Sequence, residues 1–132
     1  MKTIVLFLMI PFVLNATQLK VVVKNVQPGK GSVIVDIYTS KWDFLNKSFA
    51  SKSVLASDTE LVFTFDLPAA EYAVSTYQDM NDNKELDFGI FHIPQEPTGF
   101  SNDYRPKFGP PVFKDCAIKL TAQPQTIQIE LK

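Results

Sequence analysis

The chain has 132 residues, enough for one domain with a real core, and its 45% hydrophobic and 20% charged content is ordinary for a globular protein. A formal net charge of −1, with Arg105 the single arginine, excludes a nucleic-acid surface, which needs clustered cations to displace counterions. A single cysteine, Cys116, excludes an internal disulfide.

Residues 1–16 read as an export signal. Met1 and Lys2 start the chain with positive charge, residues 3–14 are almost wholly apolar, and Ala16 offers a small residue at a cleavage point. The apolar run is too short for a comfortable membrane span, and no later run is longer. No cysteine adjoins the cut, which argues against a lipid anchor. The expectation is a signal peptide over 1–16 and a single domain over 17–132, without a transmembrane segment and in a periplasmic or extracellular location.

The pattern then settles to period two, the mark of half-buried strands. Over 18–27, Leu19, Val21 and Val23 share one face, with Lys20 and Lys24 on the other. Pro28 to Gly31 carries turn chemistry, and 32–39 alternates again with Val33, Val35 and Ile37 inward and Asp36 outward. These two runs predict a β-hairpin. Residues 40–49 break the alternation. Ser40 predicts the cap of a short helical turn, and Trp42, Phe44, Leu45 and Phe49 are expected to cover an open end of the core, an exposed binding aromatic being the alternative for Trp42.

A short edge strand is expected over 51–56. The clearest strand is 60–66, with Leu61, Phe63 and Phe65 opposed to Val62, Thr64 and Asp66. Residues 67–70 turn the chain, and a strand over 72–78 runs straight into Asp79. Residues 112–121 predict another strand that buries Cys116 as a small hydrophobe. Pro124 marks a turn, and Ile127, Ile129 and Leu131 form the inner face of a last strand over 126–132. About seven short strands with turn signals between them and little helix predict an all-β fold, a small two-sheet β-sandwich of the immunoglobulin-like or transthyretin-like kind.

One long loop interrupts this plan. Residues 79–111 run for about thirty positions, more than twice the length of a passive connection. Pro94, Pro97, Pro106, Pro110 and Pro111 restrict the loop, and Phe88, Phe91, Phe100, Tyr104 and Phe108 give it apolar mass, so it is expected to be ordered. Its first part gathers the acids Asp79, Asp82, Glu85 and Asp87. Oxygen-bearing side chains fall at alternate positions, and calcium loops place ligands at positions 1, 3, 5, 7 through the backbone, and 9. That spacing assigns side-chain oxygens of Asp79, Asn81, Asn83 and Asp87, with the Glu85 carbonyl, to one calcium ion. The same residues also form Asx-turns that need no metal.

Five ordered segments resemble a known family: Leu67-Pro-Ala-Ala-Glu-Tyr-Ala-Val74, Asp79-Met-Asn-Asp-Asn-Lys-Glu-Leu-Asp87, Ile93-Pro-Gln-Glu96, Gly99-Phe-Ser-Asn102 and Phe108-Gly-Pro-Pro111. They are similar to the motifs of the bacterial secreted family catalogued as domain of unknown function 2141. The resemblance implies a signal peptide and a small all-β domain, and it implies no established activity. Two departures stand out. Lys84 replaces the family's usual glycine in the acidic loop, and a lysine held at positive φ costs on the order of 1 kcal/mol. The twelfth position from Asp79 is Ile90, so the bidentate glutamate of an EF-hand is missing. A further ligand would come from Glu96 or Asp103.

Signals for catalysis are sparse. Asp87 and Glu96 are the acid pair that a carboxylate-based hydrolase would use. His92 is the single histidine, which excludes sites needing two, and no Gly-x-Ser-x-Gly elbow or glycine-rich phosphate loop is present. The expectation is therefore a non-enzymatic module, structural or binding and monomeric, with an envelope protein or a glycan as partner. A carbohydrate- or peptide-binding face built from the loop aromatics is the alternative; sealing an open end of the sandwich is the more ordinary role for them.

Overall fold

A computed structural model describes residues 15–89 and 94–132. Most of the expected export signal, and Ile90, Phe91, His92 and Ile93 in the loop, lie outside the described residues.

Eight strands form among the described residues: β1 (Ala16–Lys24), β2 (Ser32–Tyr38), β3 (Ala50–Leu55), β4 (Glu60–Pro68), β5 (Ala70–Asp79), β6 (Thr98–Phe100), β7 (Ile118–Leu120) and β8 (Gln125–Glu130). They make a three-stranded sheet in the order β4-β1-β8 and a five-stranded sheet in the order β3-β2-β5-β6, with β7 paired to the start of β5. All pairings are antiparallel except β1 with β8, which run parallel. The expected two-sheet sandwich is present. Leu19, Val21, Val23, Val33, Val35, Ile37, Phe63, Phe65, Val74 and Ile129 share one core between the sheets, each on the face its alternation assigns. No helix among the described residues is long and apolar enough to cross a membrane.

The predicted hairpin of the first two strands does not form. β1 pairs with β4 and β8, whereas β2 pairs with β3 and β5, so the chain crosses between sheets at residues 25–31. Asn25 adopts φ 63° and its side-chain amide donates to the Leu131 carbonyl at 2.7 Å, which ends β1. The side chain of Gln78, fully buried in β5, then grips the turn. Its amide nitrogen donates to the carbonyls of Gln27 and Lys30 at 2.8 and 2.7 Å, and its carbonyl accepts the Gln27 N–H at 2.9 Å. Turn chemistry is the same for a hairpin and for a crossover, and only these distant partners decide between them.

Two edges of the sandwich are treated differently. Beyond β8, Thr98 and Lys132 exchange backbone hydrogen bonds at 3.0 Å each, which ties the sheets together. On the opposite side β3 is the edge strand that was expected. Its Lys52 reaches inward, donates to the Thr64 carbonyl of β4, and lies 5.0 Å from the centre of the Phe65 ring. A charged side chain at an edge blunts strand-to-strand aggregation.

Residues 40–49 do carry the expected cap, the Ser40 hydroxyl accepting the Asp43 N–H at 3.3 Å. They do not cover the core as expected: Trp42 is 79% exposed, and Leu45 and Phe49 are also exposed. Phe44 packs on the outward face of the sheet, edge-on to Tyr38 at 5.2 Å and to Phe113 at 6.0 Å, and the Phe49 ring lies 6.4 Å from that of Tyr72. Tyr72 already fills that end of the core, whereas Tyr38 lies on the outward face of the sheet with Ile34 and Asp36. The strand expected over 112–121 is also shorter. Residues Phe113–Cys116 form a helical turn, α1, with the Asp115 carboxylate accepting the Val112 N–H at 3.3 Å, and β7 alone remains extended. Cys116 is buried as expected, at the end of α1 rather than in a strand, and burial followed by the nearby Asp115 pushes its thiol up to about 12.

Candidate functional site

β5 delivers Asp79 to the end of the five-stranded sheet, opposite Ser32 of β2, and the acidic loop folds back from there. Asp79 is buried, 1% exposed. Its carboxylate accepts the Asn83 N–H at 3.2 Å and the Lys84 N–H at 2.7 Å, which curls the loop into one turn. Lys84 stands at φ 62°, the strained position expected from the missing glycine, and Asp82 at φ 53° is left-handed as well. The Asn81 and Asn83 side-chain oxygens accept the N–H groups two residues on, from Asn83 at 3.3 Å and Glu85 at 3.0 Å. Their amide nitrogens converge on Asp87, at 2.6 and 2.7 Å from its two carboxylate oxygens.

Four of the five proposed ligands, Asp79, Asn81, Asn83 and Asp87, are thus brought together by hydrogen bonds, and Glu85 joins through its backbone N–H. The two outside candidates separate. Glu96 is buried, and its carboxylate accepts the Met80 N–H at 2.6 Å and the Asp87 N–H at 3.0 Å, tying both limbs of the loop together. Asp103 instead pairs with Arg105 at 3.0 Å, on the far side of β6 in the sequence. Among the described residues, no three His, Cys, Asp or Glu side chains gather as metal ligands. A cation here would therefore draw on the amide oxygens of Asn81 and Asn83. Of the loop aromatics, Phe88 is 53% and Phe108 97% exposed, so neither seals the sandwich.

A second feature lies next to the loop and is one that sequence reasoning missed. The outward face of the five-stranded sheet is laid out in rows: Ser53, Ile34, Tyr77 and Thr98 in one, Ser51, Asp36, Ser75 and Phe100 in the next. Toward Tyr38 the face is buried, with Phe44 edge-on to that ring. Toward Asp79 it opens into a groove of about 430 Å³, lined by Ser32, Ile34, Asp36, Ser51, Ser53, Tyr77 and Asp79 and walled by Asp82 and Lys84. The Ser32 hydroxyl reaches Asp82 at 3.4 Å, and the Tyr77 hydroxyl is 3.5 Å from the Lys84 carbonyl.

Burial raises the Asp36 carboxyl above its ordinary value, partly offset by hydrogen bonds from Ser51 and Ser48. Burial likewise pushes the Tyr77 phenol up to about 12, helped by the negative charge of Asp36, Asp79 and Glu96, so it stays a hydrogen-bond donor. The available signal was a lone aspartate in the Val/Ile-rich strand β2, since aspartate is depleted from strands.

The pattern described as "Uncharacterized protein conserved in bacteria (DUF2141)" matches residues 21–128. No curated protein and no solved structure matches the chain. The match spans both sheets, the acidic loop and the groove, and the chain belongs to the DUF2141 family.

Proposed function

We propose that the chain is an exported, monomeric β-sandwich module that binds an envelope partner without chemistry of its own, and that one calcium ion stabilises its acidic loop. The observation that carries this reading is the convergence of Asn81, Asn83 and Asp87 side chains beside the curled Asp79 turn. Position six of a calcium loop makes its sharp turn there, and Lys84 at φ 62° makes that turn in this chain. Calcium would be held by Asp79, Asn81, Asn83 and Asp87, with the Glu85 carbonyl, and would supply charge neutralisation rather than catalysis. Turning both amides to present oxygen gives up two Asx hydrogen bonds, about 0.5–1.5 kcal/mol each, and the two donated to the Asp87 carboxylate, about 1.5–3 kcal/mol each, which calcium must outweigh.

The hydrolase alternative is weakened by Glu96. Both of its carboxylate oxygens are taken up by the backbone N–H groups of Met80 and Asp87 in a buried position, which gives the side chain a structural task.

A thermal melt of residues 17–132 in EGTA and in about 10 mM calcium tests the loop. At ten times the dissociation constant, calcium adds about 1.4 kcal/mol, a rise that Asp87→Ala abolishes. Identical melts in both buffers mean the loop is a metal-free Asx-turn. Mass spectrometry of the envelope fraction tests export, with Thr17 expected at the mature N-terminus. Intact 1–132 chains confined to the cytoplasm refute it.

A further inference from the structure

We propose that the groove on the outer face of β3, β2 and β5 is a binding site for a non-acidic glycan, with Asp36 and Tyr77 as its principal contacts. The inference rests on the binding-module reading and names its partner. It moves the site from the loop aromatics to the sheet.

Size comes first. A volume of about 430 Å³ lies within the usual range for small-ligand sites, about 300–1,000 Å³. The lining chemistry is selective. Ser32, Ser51, Ser53 and Tyr77 offer hydroxyls that donate and accept at once, which matches the hydroxyls of a sugar. Asp36 is an acceptor at the Tyr38 end of the floor, with Ile34 between it and Ser32, and can take hydrogen bonds from adjacent sugar hydroxyls, the charge-assisted kind being the stronger. The half-buried Tyr77 ring, one row over, gives an aromatic face for the apolar side of a pyranose.

Charge decides the class. Asp36, Asp79 and Asp82 line the groove against Lys84 alone, so phosphorylated, sulfated or uronic sugars are repelled, while neutral and amine-bearing ones are accepted. A protein partner fits poorly, because the one aliphatic side chain in the lining, Ile34, is flanked by serine hydroxyls and carboxylates and offers no broad apolar patch.

Asp36 faces the open groove from a Val/Ile-rich strand, where aspartate is depleted, and burial disfavours its charged form, offset in part by hydrogen bonds from Ser51 and Ser48. A group that is costly to the fold and faces an open groove is where function is expected.

The test is a panel of immobilised neutral, amine-bearing and acidic oligosaccharides, followed by calorimetry with a soluble neutral tetrasaccharide. Wild type should retain neutral or amine-bearing sugars and ignore acidic ones. Asp36→Asn should lose about tenfold to a hundredfold in affinity while melting no lower than wild type. Tyr77→Ala should also lose binding, and Tyr77→Phe should keep the stacking part. No retained sugar, preference for acidic sugars, or binding unaffected by Asp36→Asn overturns the inference. A calcium-dependent melt with no sugar binding removes the groove assignment and leaves the function reading standing. Sugar bound and then cleaved at the groove removes the non-enzymatic reading and leaves the groove assignment standing.

Discussion

The crossover between sheets can be tested at one atom. Gly31 stands at φ +64° where β2 begins, and a Cβ built on it falls 1.8 Å from the Asp79 carbonyl oxygen and 2.8 Å from the carbonyl carbon. Gly29, in the same turn, is at φ +80° with nothing within 4 Å. Both alanine substitutions incur the left-handed conformation, about 1–2 kcal/mol. Gly31→Ala also drives β2 away from β5, because backbone atoms have no rotamer with which to yield. Overpacking of this kind adds about 1–3 kcal/mol. Gly31→Ala should therefore lose about 2–5 kcal/mol and Gly29→Ala about 1–2 kcal/mol. Urea unfolding followed by far-UV circular dichroism measures both, since Trp42 is too exposed to report folding well. Equal losses would mean that the turn relaxes freely and that the close approach to Asp79 does not constrain the crossover.

Phe63 is 1% exposed and its neighbour Val62 54%, so Phe63→Ala should lose about 3–5 kcal/mol and Val62→Ala about 0.5 or less in the same assay; a reversed order would put the faces of β4 the wrong way round. Asp36 should make stability depend on pH. Because burial raises its folded-state value, it contributes stability that is complete below the ordinary value of 3.8 and is lost as pH rises through the raised one. Asp36→Asn should accordingly exceed wild type in urea midpoint at neutral pH, with the gain shrinking as pH falls through the raised value toward 3.8 and changing no further below it. A less stable Asn variant at neutral pH would show that the Ser51 and Ser48 hydrogen bonds outweigh desolvation.

What the amino-acid sequence determined by itself is the facing of each strand. Period-two alternation is a local property, and burial of one face forces it, so Leu19, Val33, Phe63 and Ile129 could be placed inside without knowing their partners. The strain at Lys84 was legible through the family resemblance, since the similar acidic loops usually have glycine where this chain has lysine. The acidic loop was legible as a unit because its hydrogen bonds join residues close in sequence.

Only the tertiary structure decided which strands meet. A turn at Pro28 to Gly31 reads alike whether it joins neighbours in one sheet or crosses to another, and the decision lies with Gln78, about fifty residues away. Trp42 was misplaced because hydrophobicity says that a side chain gains by burial, not that room remains for it. Glu96 was named as a ligand candidate, yet its carboxylate ties Met80 to Asp87. The groove was invisible for a related reason. Outward residues of separate strands follow no common period, and Asp36, Ser51 and Tyr77 become one surface only when strand register aligns them.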